Sequence, residues 1–344
     1  ASRSLKRASL IWVPCTFHFK TSTTDTMSQQ TREQIDAPPL VCEGVTKTFG
    51  SWFRLSSPPV VAARDVSFSI HAGDIVGLIG PNGAGKTTLL GLIAGLLKPE
   101  HGAIRICGYR PRSYEARRRI ALVPESPSFL ATDSGFDVLK FHASLLGFTG
   151  KELLRQVKRV AELLAIDARF ERRVKTFSLG MRQRISLAAA LLGHPSVLLL
   201  DEPGNGLDPA GMLSLRRLLL NLAAEGTAIL VSSHYLGELD KLTSQFLFLN
   251  NGTLTFSEVH RLPDTGFVQI DFVAVEDLPE RLRSIGISPC TCADSSAVCP
   301  VTSAEDISAL VASCVHAGLK IVQVKKITRV LEHMFMNLSE GLQR

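Results

Sequence analysis

A chain of 344 residues, 45% hydrophobic and 20% charged, has the apolar content of a globular protein and length for one large domain plus a smaller one, or two of medium size. That composition excludes intrinsic disorder, and the net charge of +6, with no nucleic-acid-binding motif beside it, does not mark a nucleic-acid binder. The longest apolar region, residues 187–200, is broken by Gly193-His194-Pro195, so the chain is not expected to span a membrane by itself.

Residues 1–26 begin with Ala, carry Arg3, Lys6, Arg7 and Lys20, and hold no acid before Asp25. They fit a transit segment or translated upstream sequence with Met27 as the start, and the lack of a clean amphipathic period favours the second. Residues 28–39 are polar, end in Pro38-Pro39 and read as a linker, so residues 1–39 form an extension outside the fold. From Leu40, LVCEGVTKTF and VVAARDVSFSI alternate as strands, joined by the long loop GSWFRLSSPP.

The apolar run Ile75-Val76-Gly77-Leu78-Ile79 then leads into Gly80-Pro81-Asn82-Gly83-Ala84-Gly85-Lys86-Thr87-Thr88 and a helical pattern expected to end at Leu97-Lys98-Pro99. Strand, glycine-rich turn and helix are the context that a G-x-x-x-x-G-K-[ST] phosphate-binding loop requires. Its glycines let successive N–H groups point at an anion, and the helix adds the positive end of its dipole. Lys86 is expected to reach the β- and γ-phosphates, and the Thr87 hydroxyl to bind Mg²⁺.

Short strands follow at 102–108 and 120–124. Between them Arg110, Arg112 and Arg117-Arg118-Arg119 read as a solvated helix face. Over residues 133–168 the period becomes helical, with Leu153, Leu154, Val157, Val160 and Leu164 on one face, an insert between strands. A helix at 180–192, an all-apolar strand at 197–200, a helix at 210–224 and a strand at 227–232 complete a β-α-β alternation, hence an α/β fold with a parallel sheet.

After Pro263 the composition changes. Strand 266–275, helix 278–285, an irregular β stretch, helix 303–317 with a capping box from Thr302 and Glu305, strand 319–327 and helix 330–338 suggest a small ferredoxin-like α+β domain. Cys290, Cys292 and Cys299 have no second C-x-x-C or His pair to close a tetrahedral metal site, and free thiols are the simpler account.

Leu198-Leu199-Leu200-Asp201-Glu202-Pro203 is an apolar strand ending in two acids. Asp201 is placed to hold Mg²⁺ and Glu202 to orient or deprotonate an attacking water, although such a pair alone is commonly just an exposed strand end. It does not stand alone. Phe177-Ser178-Leu179-Gly180-Met181-Arg182-Gln183-Arg184 precedes it, Gly206-Leu207-Asp208 follows, and Ser232-Ser233-His234 closes the next strand.

With this ordered set, residues 40–261 resemble the nucleotide-binding domain of ABC (ATP-binding cassette) transporters. The resemblance implies a P-loop NTPase fold over residues 40–262, a RecA-like core with a β subdomain and an inserted helical subdomain, followed by the α+β domain over 263–344. It implies an ATP hydrolase using Mg²⁺, held by Thr87, Asp201 and Glu125, with Lys86, Glu202 and the switch histidine His234 as catalytic groups. Residues 80–88 would cradle the phosphates. Phe49, or Trp52 or Phe53 because the loop after it is long, would stack on adenine. Ser178 and Gly180 match the signature loop that reaches the ATP of a head-to-tail partner, and Asp208 the acid that couples the two sites. Residues 147–167 match the part of the insert that meets the membrane subunit.

Two positions depart from the family pattern. Glu125 stands after Val123-Pro124 where Gln is usual; a carboxylate is a good Mg²⁺ ligand but cannot donate a hydrogen bond. Phe177-Ser178-Leu179-Gly180-Met181 replaces Leu-Ser-Gly-Gly-Gln, keeping the Ser and second Gly, and is similar to exporter ATPases of the drug and antibiotic type. Leu331-Glu332-His333-Met334-Phe335-Met336 resembles the closing helix of many ABC-2-type exporter ATPases. These features imply an exporter subunit, working as a homodimer or ABC heterodimer with integral membrane permease subunits on the cytoplasmic face of the plasma membrane, with no nucleic-acid partner. The other reading is a soluble ABC ATPase of ribosome or DNA, but such proteins usually carry two cassettes or long coiled coils, and this chain has neither.

Overall fold

The computed structural model describes residues 37–50, 59–233, 239, 241–243, 245–254, 260–261, 266–273, 277–287, 289, 291–293, 295–301 and 303–327. The chain divides into two compact units, one running to His234 and including Gln245–His260, the other starting at Arg261 and including Tyr235–Ser244.

In the first unit, β1 (Leu40–Phe49) and β2 (Val60–Ile70) pair antiparallel, and β4 (His101–Ile106) pairs with the other edge of β1. The ladder slips near Gly44, which sits at φ +58° and donates its N–H to Ser67 Oγ at 2.8 Å, a bulge that bends β1. The larger sheet is parallel, in the order β8-β3-β7-β6-β5, with β3 (Ile75–Ile79), β5 (Ile120–Val123), β6 (Val197–Asp201), β7 (Ala228–Ser232) and β8 (Gln245–Asn250). Every residue of β3, β6 and β7 is buried, as a parallel sheet covered on both faces requires. The order sets the carboxyl ends of β3, β7 and β6 side by side, and Asp201 is paired with Ser232. That edge is where ligands bind in open α/β sheets.

The helix after the phosphate loop, α1 (Lys86–Ile93), stops earlier than its apolar pattern predicts. The N–H of Gly95 bonds to Leu92 O and that of Leu96 to Gly91 O, at 3.0 and 2.9 Å. With Gly95 at φ +74° this is a Schellman closure, so a left-handed glycine and not Pro99 ends the helix. A four-residue helix α2 (Tyr114–Arg117) is capped by Ser113.

The insert read as one helical stretch is two helices, α3 (Gly135–Leu145) and α4 (Gly150–Leu163), broken at Gly147, which sits at φ +90°. Ser134 and Asp137 form a capping box on α3. Both helices pack against α5 (Leu179–Leu191), beside the edge-to-face pair Phe170 and Phe177. α6 (Pro209–Ala224) joins β6 to β7, and the two-residue strands β9 (Thr253–Leu254) and β10 (His260–Arg261) follow β8.

In the second unit, β11 (Gly266–Phe272), α7 (Leu278–Ser284), β12 (Thr291–Ala293), β13 (Ser296–Val301), α8 (Ala304–His316) and β14 (Ile321–Ile327) run β-α-β-β-α-β. The antiparallel order β12-β13-β11-β14 is the ferredoxin-like arrangement. Val268, Ile270 and Phe272 alternate into its core with Leu278, Leu282 and Cys314. The capping box of α8 is Ser303 with Asp306, one residue beyond the predicted Thr302 and Glu305; the run Thr302-Ser303-Ala304-Glu305-Asp306 contains both registers, and α8 begins only at Ala304. Among the described residues Cys292 and Cys299 are in no disulfide, while Cys290 and residues 330–338 lie outside the described residues. Among the described residues no helix is long and apolar enough to cross a membrane.

The closure of α1 is open to a paired test. A Cβ on Gly95 would meet the Pro111 backbone at 3.1 Å, whereas Gly108, at φ +82°, has open space around it. Gly95→Ala and Gly108→Ala should each cost about 1 kcal/mol for the left-handed backbone, and Gly95→Ala more because of Pro111. Equal shifts of the urea midpoint would show that Gly95 is not held against Pro111.

Candidate nucleotide-binding site

Residues 80–85 leave β3 and enter α1 under pressure from two neighbouring backbones. A Cβ on Gly85, which sits at φ +106°, would stand 2.1 Å from the Ala62 carbonyl oxygen, and one on Gly80 would stand 2.2 Å from that of Leu249. Only glycine fits at either place. The loop is tied by Ala84 N–H to Pro81 O at 3.1 Å and by Gly252 N–H to Ala84 O at 2.9 Å. No side chain caps α1 and no acid lies in its first turn, so its positive end is left to an incoming anion. Lys86 is buried, and its ammonium donates to Gly80 O at 2.7 Å and Pro81 O at 3.2 Å. Neither carbonyl neutralises its charge.

The loop opens on a cavity of about 380 Å³ lined by Phe49, Val60, Ala62, residues 82–88, Glu125, Asp201 and Glu202. Phe49 is 41% exposed, with the Lys47 ammonium 5.3 Å from its ring centre. A second hollow of about 190 Å³, lined by Val123, Leu163, Leu187, Leu215 and their neighbours, contains none of the phosphate-loop residues.

The acids reach the cavity from the ends of neighbouring strands. Asp201 Oδ2 accepts from Thr87 Oγ1 at 2.8 Å, and Asp201 Oδ1 accepts from Ser232 Oγ at 2.7 Å. The Glu202 N–H donates to both the carbonyl and the hydroxyl of Ser232, at 3.2 and 3.1 Å, and Glu202 sits at φ +49°. Glu125 is gripped twice: its carboxylate accepts from Asn205 Nδ2 at 3.2 Å and its carbonyl from Gln183 Nε2 at 2.7 Å. Hydroxyl and carboxylate oxygens form a hard donor set that suits Mg²⁺. Among the described residues no three His, Cys, Asp or Glu side chains form a metal cage, and Mg²⁺ is usually held by one or two carboxylates with substrate phosphates.

Phe49, Asn82, Gly83, Ala84, Gly85, Lys86, Thr87, Thr88, Glu125, Asp201 and Glu202 thus meet at one cavity, with Gly80 and Pro81 holding Lys86. Ser178, Gly180 and Asp208 do not line it. Ser178 caps α5 by accepting from Met181 N–H at 3.2 Å, and Asp208 caps α6 by accepting from Gly211 N–H at 2.8 Å. A Cβ on Gly180 would lie 3.0 Å from Gly206 O, so the start of α5 presses on the loop that carries Asp208. His234, Trp52 and Phe53 lie outside the described residues. Sequence reasoning missed Ser232, Asn205 and Gln183 as partners of the acids, because strand order and loop packing bring them there.

The family model described as ABC transporter matches residues 63–205. The ABC transporter ATP-binding protein YhcH of Bacillus subtilis (strain 168), itself uncharacterized, is 35% identical over 280 residues, 80% of this chain and 90% of its own. The doxorubicin resistance ATP-binding protein DrrA of Mycobacterium tuberculosis is 33% identical over 254 residues, 72% of this chain and 75% of its own. The bacitracin transport ATP-binding protein BcrA of Bacillus licheniformis is 38% identical over 192 residues, 55% and 62% of the two chains. Among solved structures, an ATP-binding subunit of an ABC transporter is 28% identical, covers 72% of this chain and 93% of its own, and superposes with a TM-score of 0.57. The cassette MJ0796, solved as a dimer with ADP and Pi, shares the fold at 22% identity and a TM-score of 0.59, over 65% of this chain and 99% of its own. A match of 280 residues runs far beyond a phosphate loop, and the chain belongs to the family of ABC transporter ATP-binding proteins.

Proposed function

We propose that this ABC ATPase drives an exporter, as one of a pair of cassettes docked beneath integral membrane subunits at the cytoplasmic face of the plasma membrane. The observation that carries the reading is the convergence of Lys86, Thr87, Glu125, Asp201 and Glu202 on one cavity at the carboxyl edge of the sheet. ATP would place its phosphates in residues 80–88, where Lys86 exchanges its two carbonyl partners for phosphate oxygens. Thr87, Asp201 and Glu125 would supply oxygens for Mg²⁺, which when bound would neutralise phosphate charge. Glu202 takes the proton of the attacking water as the new O–P bond forms and the bond to the ADP oxygen breaks. Phe49 offers a ring face for the base.

Ser178 and Gly180 are assigned to the ATP of the partner cassette and Asp208 to the coupling of the two sites, roles supported by their position away from their own cavity. Leu130, Phe141 and Leu154 stand more than half exposed on and beside the helical insert, which supports docking of a membrane subunit there. Export is supported by the relatives named for bacitracin transport and doxorubicin resistance.

Glu202→Gln should bind ATP, accumulate as a nucleotide-dependent dimer on gel filtration, and hydrolyse at least about 10²-fold more slowly. Ordinary turnover in that variant would remove Glu202 as the base. Glu125→Ala should lose about tenfold or more in kcat, and unchanged hydrolysis would exclude Glu125 from the metal. Chain purified from detergent-solubilised membranes of its own cells should bring down a multi-span membrane protein in stoichiometric amount. A purely soluble pool would instead favour an ABC ATPase without a transport role.

A further inference from the structure

Ser232 ends β7, is fully buried, and is the one polar residue in the run Ala-Ile-Leu-Val-Ser. A hydroxyl in such a place is costly unless it is bonded. It is bonded on both sides. A carboxylate can only accept and an N–H can only donate, so the geometry fixes the roles: Ser232 Oγ gives its proton to Asp201 Oδ1 at 2.7 Å and receives the Glu202 N–H at 3.1 Å. One side chain therefore holds both neighbouring acids.

The two contacts do different things. Because Oδ1 is committed to Ser232, the carboxylate of Asp201 is locked about its last torsion, and Oδ2 is the oxygen turned toward Thr87 and the phosphate loop. Glu202, at φ +49°, occupies a backbone region disfavoured for a residue with a Cβ, and both the carbonyl and the hydroxyl of Ser232 hold its N–H. Without the hydroxyl, Asp201 Oδ1 would be buried with one donor fewer, and of the two bonds from the Glu202 N–H to Ser232 the one to the carbonyl would remain.

We infer that Ser232 is a positioning residue for hydrolysis, orienting Asp201 toward the metal and fixing the backbone that aims Glu202 at the water. The inference rests on the roles proposed above for those two acids.

The test uses the full chain with Ser232→Ala, Ser232→Thr and Ser232→Val, and Asp201→Asn as reference. Thr and Val have the same shape and differ only in the hydroxyl, so their comparison cancels any effect of packing and survives a failure of the Ala variant to fold. The readout is AMP-PNP affinity in excess Mg²⁺ relative to excess EDTA, alongside kcat for ATP. Ser232→Val should lose roughly tenfold in the Mg²⁺-dependent gain and roughly tenfold or more in kcat, with metal-free affinity within about twofold of wild type. Ser232→Thr should recover both. If Thr and Val behave alike, or if metal-free affinity, gain and melting temperature all fall together, the assignment of Ser232 is overturned. A collapsed gain in Asp201→Asn beside a wild-type gain in Ser232→Val overturns Ser232 alone. A wild type indifferent to Mg²⁺, or an Asp201→Asn variant that keeps the wild-type gain, removes the role of Asp201 and the inference with it.

Discussion

The carboxylate of Asp201 is the point on which the first unit's chemistry closes. Its two oxygens accept from Thr87 at the start of α1 and from Ser232 at the end of β7, residues 114 and 31 positions away in sequence. Neither bond exists unless β6 lies beside β7 and β7 beside β3, so the strand order of the parallel sheet is a precondition of the site. The bond to Ser232 is buried and the bond to Thr87 partly so, and in such surroundings charge-assisted hydrogen bonds are strong and an unmet carboxylate oxygen is expensive. Folding the sheet and building the site are one event.

Around that contact the backbone is crowded to a degree that side chains would not permit. The Ala62 carbonyl presses on Gly85 and the Leu249 carbonyl on Gly80, from two different sheets of the first unit. Backbone on two sides confines the loop, which limits the reorganisation left for the moment a phosphate would arrive. Lys86 shows the same economy: its buried ammonium rests on loop carbonyls that a phosphate would displace, so the cation waits in place.

How much of this was legible in the sequence depended on the range of the interaction. The all-apolar strands, the phosphate loop and the acids ending β6 follow from local pattern, and the structure has them within a residue or two. The ends of elements were harder. The apolar run past Ile93 suggested a helix reaching Pro99, but a glycine able to turn left-handed offered an earlier exit with its own pair of hydrogen bonds. The insert kept a helical period across its break because residues on both sides face one core, and the turn is marked by Gly147 and Gly150, both at positive φ. In α8 two capping registers overlap in five residues, and sequence does not rank them. Ser232 was named from the motif that it opens, but its role was not legible for a different reason: its partners are set by register between parallel strands joined through α6, which no local window contains.

Glu125 shows how one substitution reshapes its surroundings. Where the related cassettes usually carry an amide, which donates and accepts, this chain has a group that only accepts, and the amide is supplied from outside by Asn205. The exchange also changes the charge of the cavity. Among the described residues its charged lining is Glu125, Asp201, Glu202 and Lys86, three carboxylates beside one ammonium, where an amide at 125 would leave two carboxylates. Relative to an amide, the extra carboxylate opposes a polyphosphate that enters alone, against the pull of Lys86 and the α1 dipole. A divalent cation accompanying the nucleotide would bring charge of the opposite sign to these acids. Under the proposed role of Glu125, the carboxylate that would hold the cation would also make nucleotide entry depend more on it, so the affinities for ATP and Mg²⁺ would be coupled through the acids of the cavity together.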